Sequence, residues 1–286
     1  YQTAIRAITF RNTSDNPNAT PRIITVTVSD NVGASNVATT TISVAPINDA
    51  PVLDLDASGA GSGYTATFTE GSAAVAIADT DISIADVDSA NITAATITLT
   101  NAQTGDVLAW GALPGGITAS LAGNVVTLSG TTTLANYQTA IRATTFSNTS
   151  DNPNTAPRSI TVTVTDGAAN SNTATATINV AGVNDAPVLD LDANNSTASG
   201  ANYAGTFTEN GGGVSIGDID LSVTDPDSNI TGATITLSNP KTGDVLAAGA
   251  LPAGITATVA GNVVLLSGSA TAADYQTAIG AITFNN

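Results

Sequence analysis

Arg158 to Asp166 reads RSITVTVTD, and Arg22 to Asp30 reads RIITVTVSD. In the earlier copy Ile24, Val26 and Val28 alternate with Thr25, Thr27 and Ser29. Apolar side chains therefore fall on one face and small hydroxyl residues on the other, the period of a half-buried antiparallel strand. The same alternation runs through Ile160 to Thr165, Ile97 to Thr100, Ile235 to Ser238 and around Val126 and Leu128. Threonine and valine fit a pleated surface. Turn clusters such as Leu113-Pro114-Gly115-Gly116, Leu121-Ala122-Gly123-Asn124 and Gly211-Gly212-Gly213 separate these short runs, so the expected fold class is all-β, an antiparallel β-sandwich.

The strand sequence is one part of a long repeat. YQTAIRAITF (Tyr1 to Phe10) returns as YQTAIRATTF at Tyr137 to Phe146 and as YQTAIGAITF at Tyr275 to Phe284, a period of about 137 residues. INDAPVLDLD at Ile47 to Asp56 returns at Val183 to Asp192, TGDVL at Thr104 returns at Thr242, and GNVVTLSG at Gly123 returns as GNVVLLSG at Gly261. Length differences fall in loop positions: Ser58 to Gly63 becomes the longer Asn194 to Asn202. A domain-sized repeat is more often selected for reach or multivalent attachment than for one catalytic pocket. With NDAP as the join, residues 1–49 form the later part of one repeat, 50–185 a complete repeat, and 186–286 a repeat without its later part. Either this is a window on a longer array, or the open ends are completed by neighbouring copies through strand exchange.

Within the YQTAI block, Leu134, Tyr137, Ala140 and Ile141 have helical spacing after a threonine run that can cap it, which predicts one or two helical turns with Tyr137 as a core anchor. Trp110, in the loop-like stretch AWGALPGG, is replaced by Ala248 in the next copy and reads as a contact residue or a local plug.

Composition narrows the function classes. Lysine and arginine total 6 against 23 acidic residues, a net charge of −17, so nucleic acid is excluded as an expected partner. No apolar run reaches membrane-spanning length, and no membrane insertion is expected. Cysteine and histidine are absent, which removes disulfides, thiolate metal sites and Ser-His-Asp or Cys-His catalysis; no enzymatic activity is expected. Lys241, the single lysine, all but excludes an isopeptide staple. Aromatic residues make up only 4%, which argues against sugar stacking, though a carbohydrate-binding sandwich remains an alternative.

The remaining chemistry is carboxylate. Asp86-Val87-Asp88 and Asp225-Pro226-Asp227 place paired acids at turns, Glu70 and Glu209 follow strands ending in TFTE, Asn48-Asp49 and Asn184-Asp185 precede Ala-Pro, and Asp30 and Asp166 end the TVTV strands. A hard cation such as calcium takes six to eight oxygen ligands, which several loops at one end of a sandwich can supply jointly. Asp79-Thr80-Asp81 and Asp218-Ile219-Asp220 could add ligands, but read rather as exposed solvating acids.

The order TFTEN (Thr206 to Asn210), VTDPDS (Val223 to Ser228), VTVTDG (Val162 to Gly167) and VNDAP (Val183 to Pro187) resembles bacterial cadherin-like tandem repeats of giant surface adhesins of the RTX, type I secretion kind. That resemblance covers essentially the whole chain and implies tandem immunoglobulin-like or cadherin-like antiparallel β-sandwiches arranged end to end, with calcium at the junctions between repeats. The first junction would use Asn48, Asp49, Asp86, Asp88 and Asp166. The second would use Glu70, Asn184, Asp185, Asp225 and Asp227, with Glu209 and Asp30 serving junctions further out. Pro46 and Gly182 stand where the family has a linker acid, and no Asp-Arg-Glu is found, which implies fewer than three ions per junction. The expected role is an extracellular or cell-surface structural and adhesive array, a calcium-stiffened extender or fibre of cell adhesion or biofilm. Its partners would be neighbouring repeats, or copies of itself in a filament, and surface or matrix carbohydrate.

Overall fold

The computed structural model describes residues 1–286 and is all-β, with two compact units, 1–181 and 182–286.

The first unit opens with a short helix, α1 (Gln2–Arg6), and a hairpin of β1 (Arg22–Val26) and β2 (Ala38–Ile42). Then follow β3 (Val52–Asp54), β4 (Tyr64–Thr69), β5 (Val75–Ala76), β6 (Ser83–Ala85), β7 (Asn91–Leu99) and β8 (Asp106–Trp110). The unit closes with β9 (Thr118–Ala122), β10 (Val125–Thr133), α2 (Leu134–Arg142), β11 (Thr144–Asn148), β12 (Arg158–Thr165) and β13 (Ala174–Ala181). One sheet runs β4-β13-β12-β7-β10-β9, a second runs β5-β11-β8, and β3 pairs with β6. Only β4 with β13 is parallel.

Alternation predicted from the sequence is realised on β12, where Ile160, Val162 and Val164 are buried and the threonines between them half-buried. The two larger sheets share one core: Phe68 of β4 meets Phe146 of β11 edge-on at 5.8 Å, beside Ile97, Leu128 and Ile178. Each such aliphatic side chain contributes about 1.5–3 kcal/mol on burial. The predicted helical block is α2: the Thr133 hydroxyl accepts from Asn136 N–H, and Tyr137, Ala140 and Ile141 are buried. Trp110 lies at the end of strand β8 rather than in a loop, half-buried against the core, because β8 pairs with β11 as far as Thr144.

Residues 1–49 carry the same sequence with far less burial. No residue of α1 is buried, and Tyr1 is fully exposed where Tyr137 is fully enclosed. Strand β1 stops at Val26, two residues short of the predicted Val28, because the corresponding end of β12 is held only by β7, through Thr163–Thr96, Val164–Ala95 and Thr165–Ala94. Likewise β2 stops at Ile42, whereas the end of β13 is held by β4 alone.

The second unit comprises β14 (Val188–Asp190), β15 (Val214–Ser215), β16 (Ser222–Thr224), β17 (Ile230–Thr236), β18 (Val245–Ala248), β19 (Thr256–Ala260), β20 (Val263–Ala270), α3 (Ala272–Gly280) and β21 (Ile282–Asn285). Its sheets, β17-β20-β19, β15-β21-β18 and β14-β16, reproduce β7-β10-β9, β5-β11-β8 and β3-β6. One expectation is corrected here. The TFTE segment before Glu209 is not a strand, although its counterpart β4 is, because β4 pairs only with β13 and this unit has no equivalent of β13.

Candidate cation site

In the first unit the linker, the DVD turn and the loop after α1 meet. Asp49 N–H donates to Asp88 Oδ2 (3.2 Å), and the Asn48 amide donates to Asp166 Oδ2 (2.8 Å). Asp86 Oδ1 accepts the N–H groups of Asp88 (3.1 Å) and Ser89 (2.8 Å), an Asx turn that fixes the two carboxylates one residue apart. From the preceding repeat piece, the Asn16 amide donates to Val87 O (3.0 Å), and Asp15 joins Asp49 and Asp86 around a cleft of about 390 Å³. Five of the sequence-selected residues, Asn48, Asp49, Asp86, Asp88 and Asp166, are thus linked to one another in a single network.

Electrostatically this cleft is short of positive charge. Asp86 Oδ2 and Asp88 Oδ1 are buried without a hydrogen-bond donor. Burial pushes the Asp88 carboxyl above its ordinary value, the Asp49 N–H opposes, and Asp86 adds to the rise. At Asp166, burial works upward, but the Ala169 and Ala168 N–H groups with the Asn48 amide outweigh it and hold the carboxyl low. Orphaned carboxylate oxygens lined by further acids fit a hard cation.

The second unit repeats the linker and the turn. Asp185 N–H donates to Asp227 Oδ2 (3.0 Å), and Asp225 Oδ1 accepts from Asp227 N–H (3.2 Å) and Ser228 N–H (2.8 Å). Asp227 Oδ1 is again buried without a donor. The Ser228 N–H lowers Asp225 most, against desolvation. Asn184 here bonds Asp185 O (2.7 Å), and the unit has no residue in the place of Asp166.

Glu70 follows β4 directly, its N–H on Ala181 O (2.9 Å), while Glu209 is exposed on a turn, and Asn210 after it takes a φ of 60°. Asp30 is exposed and accepts Val32 and Gly33 N–H in its own turn.

Two further acidic groups gain a third member that the sequence reading did not place with them. Asp56, Asp79 and Asp81 bring carboxylate oxygens within 4.8 Å of one another, as do Asp192, Asp218 and Asp220. Asp79 and Asp81 read in the sequence as exposed solvating acids or added ligands, without Asp56; Asp56 joins them because β3 and β6 pair and Asp79 N–H bonds Leu55 O (2.9 Å). The recurrence of DLD before each loop was the available signal. In the second unit the longer loop folds over Asp192, which is fully buried and accepts from Ser196, Thr197 and Ala198. The Thr197 hydroxyl above all holds that carboxyl well below its ordinary range.

No protein-family model and no curated protein matches the chain. Among solved structures, an endo-fucoidan hydrolase of glycoside hydrolase family 107 is 12% identical over 90% of this chain and 30% of its own length, with a TM-score of 0.15. Domains 4–9 of the surface layer protein SbsC are 11% identical over 88% of this chain and 31% of theirs, also with a TM-score of 0.15. The chain spans about a third of the length of these structures. Likeness at this level carries no chemistry across. No helix is long and apolar enough to cross a membrane.

Proposed function

We propose that this chain is a structural repeat module of an extracellular array, an extender or fibre element of cell adhesion, in which calcium ties each linker to the DxD turn that follows it. The observation that supports this reading most is the first cleft. There the preceding piece (Asp15, Asn16), the linker (Asn48, Asp49) and the next repeat (Asp86, Asp88) converge on buried carboxylate oxygens that no protein donor satisfies. Asp49, Asp86 and Asp88 would hold the ion, with Asp15 adding charge at the rim. When bound, the ion supplies the positive charge that opposed carboxylates lack, and its binding energy becomes rigidity of the join. The chain's own residues preset the site: backbone N–H groups orient Asp86 and Asp88, and the Asn48 amide anchors the linker to Asp166. Catalysis is set aside in this reading, since histidine and cysteine are lacking and the acids are engaged by backbone donors.

Calorimetric titration of residues 1–286 with calcium tests it. Heat of binding is expected, reduced when Asp86→Asn and Asp88→Asn are combined. No heat in the unaltered chain, or heat unchanged by the pair of substitutions, contradicts the assignment.

A further inference from the structure

The two units differ in what covers the acidic turn that follows β5 and β15. Helices α1 and α2 end in Arg6 and Arg142, while α3 ends in Gly280 and has no basic residue in its last turn. Arg142 Nη1 donates to Thr80 O (2.9 Å), the carbonyl between Asp79 and Asp81. A guanidinium therefore lies across that turn, beside the negative end of the helix, where a cation is favoured. In the second unit Ile219 stands in the place of Thr80, and its carbonyl has lost the arginine that would donate to it.

A cleft of about 490 Å³ opens here between α3 and the turn, lined by Ser215, Asp218, Ile219, Gln276, Thr277 and Gly280. Leu221, in the place of Ile82, forms its floor: a Cβ on Gly217 or on Gly280 would come within 3.1 or 3.2 Å of Leu221 Cδ2. The changes that set this place apart from the first unit all lie inside the repeat, Ala78 to Gly217, Thr80 to Ile219, Ile82 to Leu221 and Arg142 to Gly280. Charge is left uncovered along with space. Asp192, Asp218 and Asp220 each bring a carboxylate oxygen within 4.8 Å of the others, and Asp220 Oδ1 is buried without a donor. The oxygens of Asp192 are taken up by Ser196, Thr197 and Ala198, which leaves a bare metal ion short of the six to eight ligands it needs.

From this we infer that the cleft takes an arginine side chain presented by another polypeptide, whose guanidinium fills the place that Arg142 fills in the first unit. Its planar fork of donors meets Ile219 O and the Asp218 carboxylate together, which a compact ammonium does less well. Its methylene stem lies on Ile219, which is 97% exposed at the rim. The carbonyl end of α3 and the neighbouring carboxylates attract the charge from a distance. The inference does not depend on whether the junction clefts bind calcium.

Titration of the isotope-labelled chain with N-acetyl-arginine amide, followed by backbone amide resonances, tests it. Saturable shifts are expected at Gly217, Ile219 and Gly280, with a dissociation constant on the order of millimolar for a single, partly exposed charged contact. N-acetyl-citrulline amide, which has the same shape without the charge, should bind at least about tenfold more weakly. Agmatine, a free guanidinium compound with no peptide groups, should bind no better than the capped arginine. Gly280→Arg combined with Leu221→Ile rebuilds the pair that the first unit has as Arg142 and Ile82, and should abolish the response. Asp218→Asn, which leaves the floor of the cleft intact, should weaken it several-fold, and the spectra of both variants show directly whether the fold is kept. No saturable shift, equal response to the citrulline compound, a preference for agmatine, or a response that survives in the rebuilt variant overturns the inference. So does calcium shifting these same amides where the arginine compound does not, which would give the place to a metal ion.

Discussion

Arg158 Nε donates to Asp106 Oδ2 at 2.7 Å with both side chains sealed from water, a buried ion pair. It joins the first strand of the β12–β13 hairpin to β8, so it ties the larger sheet to the smaller one at a fixed register. Asp106→Asn leaves a guanidinium buried without its charge partner and is expected to cost about 3–5 kcal/mol. Replacing both residues with apolar ones, Arg158→Met with Asp106→Leu, is expected to cost less than the single change. Urea unfolding of the three proteins checks both statements.

Gly130 takes a φ of 134° at the irregularity where β10 breaks register with β7, and a Cβ there would lie 1.9 Å from Gly116 O. Gly130→Ala is expected to destabilise by at least about 2 kcal/mol. Gly115, with open space around its Cβ position, serves as the control, and Gly115→Ala should stay within about 0.5 kcal/mol. Denaturant midpoints compare the two directly.

Tyr137 is fully buried, and its hydroxyl donates to Gly130 O (2.8 Å), a bond repeated between Tyr275 and Gly268 (2.6 Å). Burial pushes the Tyr137 hydroxyl up to about 12 from an ordinary 10.0. A group raised on folding gives stability that is complete below its unfolded value and is lost as pH climbs through the folded one. Stability should therefore fall between pH 10 and 12, and that contribution should vanish in Tyr137→Phe, as read from unfolding midpoints against pH.

Asp192 works at the acid end with the opposite sign. Its folded carboxyl is held low by the Thr197 hydroxyl and loop N–H groups, so its contribution is present above the ordinary carboxylate value of about 3.9 and is lost as pH falls below it. Asp192→Asn is expected to flatten the acid limb of unfolding in the second unit. An acid limb identical to that of the unaltered protein would remove Asp192 as its source.

Much of this architecture is legible in the sequence, since alternation sets which face of β12 is buried and the Leu134, Tyr137, Ala140, Ile141 spacing sets the face of α2. What the sequence hides is non-local. YTATFT is a strand and YAGTFT is not, and the deciding residues lie more than a hundred positions away on β13. Asp15 reaches the cleft of Asp49 and Asp86 only through the loop that carries Asn16 to Val87 O, and Asp56 meets Asp79 and Asp81 only through the pairing of β3 with β6. Residue type and spacing report the chemistry that each segment can offer, and strand pairing decides which segments meet.

Thermal unfolding of residues 1–286 in millimolar calcium and in excess chelator tests the central claim most directly. A bound ion at a hundred times its dissociation constant stabilises by about 2.7 kcal/mol, so the midpoint should rise by several degrees with calcium. The combined Asp86→Asn and Asp88→Asn protein should lose much of that rise while unfolding no earlier in chelator, because relief of the Asp86–Asp88 repulsion offsets the lost contacts. A midpoint indifferent to calcium in the unaltered chain would contradict the claim and leave these carboxylates as surface charge.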